Sequence, residues 1–442
     1  MNHLNRRRFL SLSATLGAGI CAAPAILRCQ NPNSKLNLAF IGAGGKGGDN
    51  RGALKSENVV AICDVDAKTL AKVGEETPGA KQFRDYRKLF DELKDYDGVV
   101  ISSPDHQHYP ATIRALKLKK HVYCEKPLTH TIWEAREIAK ATREAGVATQ
   151  MGNQGNASED LRLTTEWIKA GAIGKVTEVH SWSNRPIWPQ GVTWTENADV
   201  VPEDLDWDLW LGPAPERPYM KGVHPFAWRG FWDFGTGAFG DMGCYILNWP
   251  FTALDLGAPI AAECVSAEGT TKDSPPKKSV IRLDFAAKGE RQALSLFWHD
   301  GGNLPSVEKF GGEETPREDK KKSENGTVFI GSDGILLDDY DKGGPTLLPR
   351  AKMADFKAPG KTLPRSPGHH TEWINACKGG PKAGSDFALK SAALTEMVLI
   401  GHLAARVGPG KKIEWDGATG TAKNVPEAAA YINKPYRPGW KV

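Results

Sequence analysis

The residues best suited to chemistry begin with a glycine motif that follows a short apolar run. Gly42, Gly44 and Gly47 form the pattern G-x-G-x-x-G directly after residues 36–41. Glycines at these positions permit a tight turn, close approach of the backbone to a pyrophosphate, and close packing of a helix on a strand. The first N–H groups of the following helix then face the phosphates. The motif predicts a dinucleotide-binding site.

An acidic residue stands where the adenosine ribose of such a dinucleotide would lie. Asp64 ends the second apolar run after the glycine motif, and Val65 and Asp66 follow it. A carboxylate there binds the ribose hydroxyls, and no Arg or Lys follows immediately to accept a 2′-phosphate. The pattern therefore favours NAD over NADP. The alternative is that Asp64 only caps a turn between a strand and a helix.

Strand and helix signals alternate through residues 35–155. Short apolar runs predict strands at 36–41, 59–63, 98–102, 121–124 and 147–151. Amphipathic spacing predicts helices at 86–93, 110–118 and 133–145. Such βαβ repetition predicts a Rossmann domain, in which helices cover a doubly wound parallel sheet.

The pattern changes in residues 156–442, which we assign to a second domain. Strands are predicted at 176–183, 262–268, 279–285, 292–298, 327–331 and 334–338. Helices are predicted at 161–170, 371–377 and 389–406, and a charged, glycine-rich loop at 302–326. Strands in succession predict an open, mainly antiparallel sheet with helices on one side, an α+β domain. We expect the final helices to brace the first domain.

The N-terminus has the pattern of an export signal. Arg6, Arg7 and Arg8 precede Phe9, and a mildly apolar stretch with an A-x-A cleavage pattern at 23–25 follows. This pattern predicts a twin-arginine signal and linker at residues 1–34, and a periplasmic or extracytoplasmic location. The stretch is too short and too rich in Gly, Ala and Ser for a membrane span, so none is expected in the mature chain. A basic, disordered N-terminus or an uncleaved anchor are the alternatives.

The composition argues against nucleic acid and metal as partners. The formal net charge is +4, three charges of which come from Arg6, Arg7 and Arg8 in the predicted signal, and no dense basic block remains. Seven cysteines are scattered without CxxC spacing, which predicts buried thiols rather than a zinc site or a disulfide framework. His369 and His370 have no carboxylate or cysteine at ligand spacing, so we expect no metal there.

Two further motifs resemble those of a known family. Ser103-Pro104-Asp105-His106-Gln107-His108 and Glu125-Lys126-Pro127 each follow a predicted strand. Together with the glycine motif they resemble the glucose–fructose oxidoreductase and inositol dehydrogenase family (Gfo/Idh/MocA), over nearly the whole mature chain. The resemblance implies a cofactor site that includes Ser103, Pro104, His108, Glu125 and Lys126, and a cis peptide before Pro127.

The resemblance also implies three catalytic residues. Lys126 would hydrogen-bond the reacting hydroxyl and help to move its proton. Asp241 matches the catalytic aspartate of the family, but Tyr245 stands where the family usually has histidine. Side chains four residues apart on a helix share a face, and a nearby ammonium would lower the pKa of the phenol. We therefore predict a Tyr245–Lys126 proton relay, with lost or altered activity as the alternative.

The substrate side is marked by aromatic residues. Eight of the fourteen tryptophans lie between Trp182 and Trp249. Tryptophan faces pack on the C–H faces of sugars, although each single tryptophan is more often part of a core. Candidate substrate contacts are His180, Arg185, His224, Arg229 and His370.

These observations favour an NAD-dependent oxidoreductase that acts on a hydroxyl of a sugar or a glycoside. Because little free NAD is available outside the cytoplasm, an exported enzyme should hold its cofactor tightly and recycle it within one turnover. Alternatives are glycoside cleavage through a 3-keto intermediate, a sugar-binding protein with structural NAD, and a dehydrogenase that uses free cofactor. Expected partners are the twin-arginine export machinery and further copies of the chain, joined through the second sheet.

Overall fold

The computed structural model describes residues 34–195, 197–313, 324–340 and 343–442. The predicted export signal, Cys21 and Cys29 lie outside the described residues, as does part of the predicted charged loop, 314–323. Residues Lys35–Val442 form one compact unit. All five cysteines within the described residues are buried and free, as the sequence predicts.

The first sheet has six parallel strands in the order β3-β2-β1-β4-β5-β6. Its strands are β1 Asn37–Ile41, β2 Asn58–Cys63, β3 Lys81–Phe83, β4 Gly98–Ile101, β5 His121–Glu125 and β6 Thr149–Gly152. The central strands β1, β4 and β5 are buried almost throughout, because helices cover both faces of the sheet. The prediction of a Rossmann sheet is confirmed.

Five helices connect these strands and begin at recognisable caps. They are α1 Lys46–Ala53, α2 Ala67–Glu76, α3 Tyr86–Glu92, α4 Asp105–Lys117 and α5 Ile132–Ala145. The side chain of Asp66 accepts a hydrogen bond from Thr69 N at the start of α2, and Thr131 and Glu134 form a capping box on α5.

Helix α4 begins five residues before the predicted start at Pro110. Proline favours the first turn of a helix, which is why the sequence suggested a start there. In the structure, both ring nitrogens of His106 contact the carbonyl oxygens of Phe234 and Trp210 in the second domain. These tertiary contacts hold a helical turn ahead of the proline.

The second sheet has nine strands in the order β13-β12-β11-β7-β10-β9-β8-β14-β15. They are β7 Val176–Trp182, β8 Ala261–Glu268, β9 Lys278–Phe285, β10 Leu294–His299, β11 Gly326–Gly331, β12 Ile335–Asp338, β13 Pro345–Leu348, β14 Lys412–Asp416 and β15 Thr421–Ala422. Strands β7 and β10 pair in parallel, and the other pairs are antiparallel. The predicted mainly antiparallel sheet is confirmed, although the sequence did not indicate β13, β14 or β15.

Seven helices accompany this sheet. They are α6 Glu159–Lys169, α7 Trp207–Leu211, α8 Gly237–Ile246, α9 Asn248–Ala253, α10 His369–Cys377, α11 Ala392–Val407 and α12 Ala429–Ile432. Helix α11 packs against β8, β9, α5 and α8, and therefore lies in the core shared by both domains. The segment Phe387–Val407 is long and apolar enough to span a membrane, but 67% of its apolar window is buried inside the fold, as in a core helix.

The contact between α11 and α8 depends on a missing side chain. A Cβ at Gly401 of α11 would lie 2.0 Å from Cε1 of Phe239, whose ring is buried on α8. No rotamer change of a buried ring removes such an overlap without displacing a helix. Gly401 therefore sets the distance between α11 and the helix that carries Asp241.

We expect Gly401→Ala to lower the free energy of unfolding by about 1–3 kcal/mol, because it overpacks the α8–α11 contact. The matched control is Gly52→Ala in α1, where an added Cβ meets nothing within 4 Å. The control should be neutral or stabilising by up to about 1 kcal/mol, since alanine favours helix. Chemical denaturation measures both, and equal stability of the Gly401 variant and the parent would contradict the packing argument.

Candidate active site

A cavity of about 640 Å³ lies at the carboxyl ends of β1, β2 and β4. Strand β1 pairs with both β2 and β4, so the connections from these strands run in opposite directions at this point. Ligands of doubly wound sheets bind in this crevice. From the first domain the cavity is lined by Gly42, Gly44, Asp64, Ser103 and Pro104, all predicted for the cofactor site, and by Lys46, Thr69 and Asp85.

The glycine motif is required by close contacts of the backbone. Gly42 has a φ of 77°, and a Cβ there would lie 2.7 Å from the carbonyl carbon of Ser102. A Cβ at Gly47 would lie 1.8 Å from the carbonyl oxygen of Gly42. Side chains at these two positions would thus collide with the backbone of the loop itself and of the segment after β4, so the tight turn requires glycine. Gly47 itself lies behind the cavity wall, where α1 packs on β1.

Asp64 is bound to the glycine loop. Its Oδ2 accepts hydrogen bonds from Ala43 N (2.9 Å) and Gly44 N (3.3 Å), and its Oδ1 accepts one from Asp66 N (3.0 Å). Burial raises the pKa of Asp64, and the backbone donors oppose the shift. The carboxylate therefore shapes the loop and also faces the cavity where the ribose of a dinucleotide would lie.

A segment of the second domain covers this cavity, and we call residues 204–229 the covering segment. Ala67 N donates to Asp204 O (2.8 Å), and Asp206 N donates to Val65 O (3.0 Å). Nε2 of His224 lies 3.3 Å from Oδ2 of Asp66. His224, predicted as a substrate contact, thus lies beside the turn that follows Asp64, on the nucleotide side.

Further residues on the cavity wall come from the covering segment and the C-terminal tail. Leu209, Trp210, Phe226, Trp228 and Arg229 line the cavity from the covering segment, and Trp440 lines it from the tail. Trp440 packs at 6.1 Å from the ring of Tyr86, and the Arg87 guanidinium lies 3.9 Å from its centroid. The sequence analysis did not select Trp440 as a site residue.

Lys126 and Asp241 form the central pair of the site. Nζ of Lys126, at the end of β5, donates to Oδ1 of Asp241 (2.5 Å) and to its carbonyl oxygen (2.6 Å). The two side chains are 11% and 16% exposed. The peptide between Lys126 and Pro127 is cis, as the resemblance implied. The pair joins a strand end of the first domain to helix α8 of the second.

Other charged groups surround this pair. Nε of Arg229 lies 3.7 Å from Oδ1 of Asp241. Burial alone would raise the pKa of Asp241, but the charges of Lys126, Arg229 and Arg185 together lower it. Arg185 and Arg229, both predicted as substrate contacts, therefore act electrostatically at the pair. The structure brings the two arginines and Lys126 together around one carboxylate.

Asp105 is a site residue that the sequence motif contained but our reasoning did not select. Its Oδ2 accepts hydrogen bonds from Thr236 N (3.2 Å) and Thr236 Oγ1 (2.9 Å). Burial raises its pKa to about 7, against the opposing charges of Arg229 and Lys126. A carboxyl that titrates near neutral pH beside the central pair is suited to exchanging protons.

Tyr245 lies on the predicted face of α8, but its hydroxyl does not reach Lys126. Nζ of Lys126 lies 4.8 Å from the centroid of the phenol ring. The hydroxyl donates to Oε1 of Gln154 (2.9 Å) and, more weakly, to Gly152 O (3.4 Å). Burial raises the pKa of Tyr245 well above its usual value, and the nearby charge of Glu125 adds to the shift. The prediction that Lys126 lowers this pKa is wrong, because the ammonium is paired with Asp241 instead.

Two predicted cofactor residues lie behind the cavity and position its loops through hydrogen bonds. Oε1 of Glu125 accepts from Asn50 Nδ2 (2.8 Å) and Gln154 Nε2 (3.2 Å), so the carboxyl is buried away from the cavity. The ring nitrogens of His108 lie 2.7 Å from the carbonyl oxygens of Pro127 and Ser103. Burial lowers the pKa of His108 to about 4, so the ring is neutral. Both residues position the loops that carry Ser103 and Lys126.

Two predicted substrate contacts have partners within the protein, and their role toward a substrate stays a prediction. His180 lies in β7, where its Nδ1 contacts Nε2 of His299 (3.0 Å) and its ring stacks on Phe297 at 4.8 Å. These partners lie on the sheet, away from Lys126. Nε2 of His370 contacts Oδ1 of Asn50 (3.0 Å), and its ring stacks on Tyr123 at 5.0 Å. Side chains alternate between the two faces of a strand, and His180 lies on the other face of β7 from the one that the prediction assumed.

The tryptophan cluster is mostly core. Seven of the eight tryptophans between residues 182 and 249 are buried, and two of them line the cavity. Trp207 and Trp210 stack at 4.6 Å, and Trp194 packs on Phe231 and Phe234 under the covering segment. Near the Arg229 side chain, Phe226 is 44% exposed. The cluster therefore mainly stabilises the covering segment.

Fold and site together define a dinucleotide-dependent oxidoreductase: a Rossmann sheet carries the nucleotide cavity, and a lysine–aspartate pair lies between the domains. A model described as "Oxidoreductase family, NAD-binding Rossmann fold" matches residues 36–153. A second, "Oxidoreductase family, C-terminal alpha/beta domain", matches residues 168–269. The chain belongs to the Gfo/Idh/MocA family of oxidoreductases, and its first domain is an NAD-binding domain.

Individual relatives show the same relationship. An inositol 2-dehydrogenase of Rubrobacter xylanophilus is 28% identical over 273 residues, which are 58% of this chain and 77% of the relative. A glycosyl hydrolase family 109 protein of Solibacter usitatus is 28% identical over 200 residues, 40% of this chain and 45% of the relative. The WlbA dehydrogenase of Bordetella pertussis, solved with NADH and UDP-GlcNAcA, has a TM-score of 0.61 at 16% identity, covering 87% of this chain and 98% of that one. The last likeness is one of fold.

We expect Asp64→Ala to weaken NAD binding by about 10- to 100-fold, the effect of losing hydrogen bonds to a charged group. The control is Asp91→Ala, at an exposed position on α3. Titration calorimetry with NAD on protein stripped of nucleotide measures both. Unchanged affinity in the Asp64 variant would remove this residue from the ribose site.

We expect Lys126→Met to slow turnover of a sugar substrate by at least ~100-fold, because it removes the proton-handling group. Tyr245→Phe should slow it by less than about tenfold, since it deletes a hydrogen bond to Gln154 worth about 1 kcal/mol. Stopped-flow absorbance of the reduced cofactor measures both rates. If the tyrosine variant lost as much activity as the lysine variant, the phenol would belong to the proton pathway after all.

Proposed function

We propose that the protein is an exported, NAD-dependent oxidoreductase that oxidises a hydroxyl of a sugar or a glycoside and keeps its cofactor through the catalytic cycle. The observation that carries the proposal is the pair of Lys126 and Asp241, held at the domain boundary beside the nucleotide cavity. The carbohydrate relatives support the substrate class, and the twin-arginine pattern supports export. Further copies of the chain, joined through the second sheet, remain our expected partners.

The residues fit a bound dinucleotide, which would supply the hydride acceptor. The glycine loop leaves the space that a Cβ would fill, and α1 begins at Lys46 beside it. Nζ of Lys126 can donate a hydrogen bond to the oxygen of a substrate hydroxyl. This bond would stabilise the oxygen while the hydroxyl loses its proton. Asp241, which stays ionised, provides the neighbouring acceptor. Burial raises the pKa of Asp105 to about 7 against the charges of Arg229 and Lys126, so this carboxyl is our candidate for taking up that proton.

Retention of the cofactor is supported by the covering segment. Backbone hydrogen bonds join Asp204 and Asp206 to the turn after Asp64, and Nζ of Lys68 pairs with Asp204 at 2.5 Å. Arg437 N donates to Pro213 O (3.1 Å), which ties the C-terminal tail to the same segment. A nucleotide below this segment can leave after these contacts open. Slow release would suit a compartment with little free NAD.

A second candidate function is redox-assisted glycoside cleavage, favoured by the similarity to the glycosyl hydrolase family 109 protein. In that chemistry the bound dinucleotide would accept hydride from C3, which acidifies the C2 proton, and a base would remove that proton as the bond from C1 to the aglycone oxygen breaks. The aglycone oxygen would take up a proton, water would add across C1 and C2, and the dinucleotide would return the hydride to C3. Neither Tyr245 nor His180 is placed to act as this base. Tyr245 faces Gln154, and His180 lies on the second sheet. Asp105 and Asp241 are the better placed bases.

The experiment is analysis of the purified mature protein after denaturation, without added cofactor. We expect NAD to be released at close to one molecule per chain, detected by absorbance and mass spectrometry. Protein refolded without nucleotide and then supplied with NAD is the control for the binding capacity. Release of little NAD, with full capacity to bind it, would favour a dehydrogenase that uses free cofactor. A chromogenic glycoside, incubated with the holoprotein, separates cleavage from simple oxidation.

A further inference from the structure

A second, small cavity lies away from the nucleotide site. It is enclosed by the turn before α5, helix α11 and the C-terminal tail, and its volume is about 20 Å³. This is room for one particle of the size of a water molecule or a chloride ion. Four nitrogen-bearing side chains line it: His130, His402, Arg406 and Lys434. The proposed reaction uses none of them.

The guanidinium of Arg406 is the central feature of this cavity. Its Cζ lies 4.5 Å from the ring centroid of Trp232 and 4.6 Å from that of Tyr431, whose side chain also hydrogen-bonds to the guanidinium. Its Nη1 is buried and has no hydrogen-bond partner among the described residues. A buried, unpartnered donor on a charged group is costly, and each such case calls for an unseen partner.

The second cation is also without a carboxylate partner. Nζ of Lys434 donates to Trp232 O (2.8 Å), a neutral acceptor. Within the described part of the chain, no ion pair of 4.0 Å or less includes Arg406 or Lys434. The carboxylates whose charges act on Arg406 or Lys434 are those of Asp233, Asp273 and Glu134.

Those acids are already engaged elsewhere. Asp233 and Asp273 both pair with Arg217, at 2.6 Å and 3.0 Å. Glu134 accepts hydrogen bonds from His130 N and Thr131 N in the capping box of α5. Positive charge at the cavity therefore exceeds the negative charge that faces it.

The histidines add neither charge nor a free donor, because Nε2 of His130 lies 3.3 Å from the carbonyl oxygen of Gly235 and His402 hydrogen-bonds to the backbone at Thr236. Burial lowers the pKa of His402 to about 3 and lowers that of His130 well below its usual value. Both rings are thus neutral at ordinary pH, and each keeps one N–H. Burial also lowers the pKa of Lys434, to about 8, so the ammonium is the majority form at neutral pH. An anion in the cavity would stabilise this charged form.

We propose that this cavity binds a small monovalent inorganic anion of the size of chloride, with Nη1 of Arg406 as its principal donor and Lys434 as the second cation. The anion completes the hydrogen bonding of Arg406 and offsets charge that the fold leaves unpaired. It also connects three segments: the turn at His130, helix α11 and the tail at Lys434. The proposal is independent of the proposed function, because the cavity shares no lining residue with the nucleotide site.

The first test is the full mature protein in chloride or in gluconate at matched ionic strength. Gluconate is too large for the cavity. We expect the Tm to be higher by at least about 2 °C in 300 mM chloride, because a ligand that binds the folded state stabilises it. Crystals grown in bromide should show anomalous density beside Nη1 of Arg406. An ordered water in its place would overturn the proposal.

Variants separate the site from general salt effects. Arg406→Gln and Lys434→Met should each lose the chloride-dependent rise in Tm, whereas Arg143→Gln, at an exposed position on α5, should keep it. If Arg406→Gln does not fold, Lys434→Met and the bromide crystals decide. Bromide density without any chloride effect on the parent Tm would show binding at crystal concentration only, and would also overturn the proposal. NAD content should be the same in both salts.

Discussion

The ion pair between Lys126 and Asp241 is the interaction on which the geometry of the site depends. One partner follows β5 of the Rossmann sheet, and the other lies on α8 of the second domain. Because both side chains are largely buried, loss of Asp241 leaves an ammonium that water cannot easily satisfy, and loss of Lys126 leaves a carboxylate that faces Arg229 at 3.7 Å. The pair is held by the core itself, since α8 packs on α11 and α11 packs on both α5 and the second sheet. The packing of the two domains therefore also determines the geometry of the Lys126–Asp241 pair.

The same pair explains why the surrounding charges are arranged as they are. Arg229 and Arg185 lower the pKa of Asp241, so its charge persists although the group is buried. Arg229 in turn is held by aromatic neighbours, with its guanidinium 4.2 Å from the centroid of Trp228. The tryptophans that suggested sugar stacking therefore act mainly by ordering the covering segment and its arginine.

Most of the fold and part of the site follow from the sequence for physical reasons. Apolar runs and glycine spacing are local signals, and they located β1, the glycine loop and Asp64 directly. Lys126 and Asp241 could be identified only through the family resemblance, because no local sequence pattern shows that two residues so distant in the chain are in contact. The early start of α4, the side of β7 that His180 faces and the destination of the Tyr245 hydroxyl are all set by tertiary contacts. The spacing of residues along the sequence does not indicate such contacts.

Tyr245 illustrates how one side chain changes which groups can hold a proton. A histidine at this position would titrate near neutral pH, whereas the buried phenol stays protonated and is bound to Gln154. Asp241 stays ionised because three cations face it. Burial raises the pKa of Asp105 to about 7, so this carboxyl can change its protonation state near neutral pH. Helix α8 contributes a fixed charge to this site, and the titrating group comes from the first turn of α4 in the Rossmann domain.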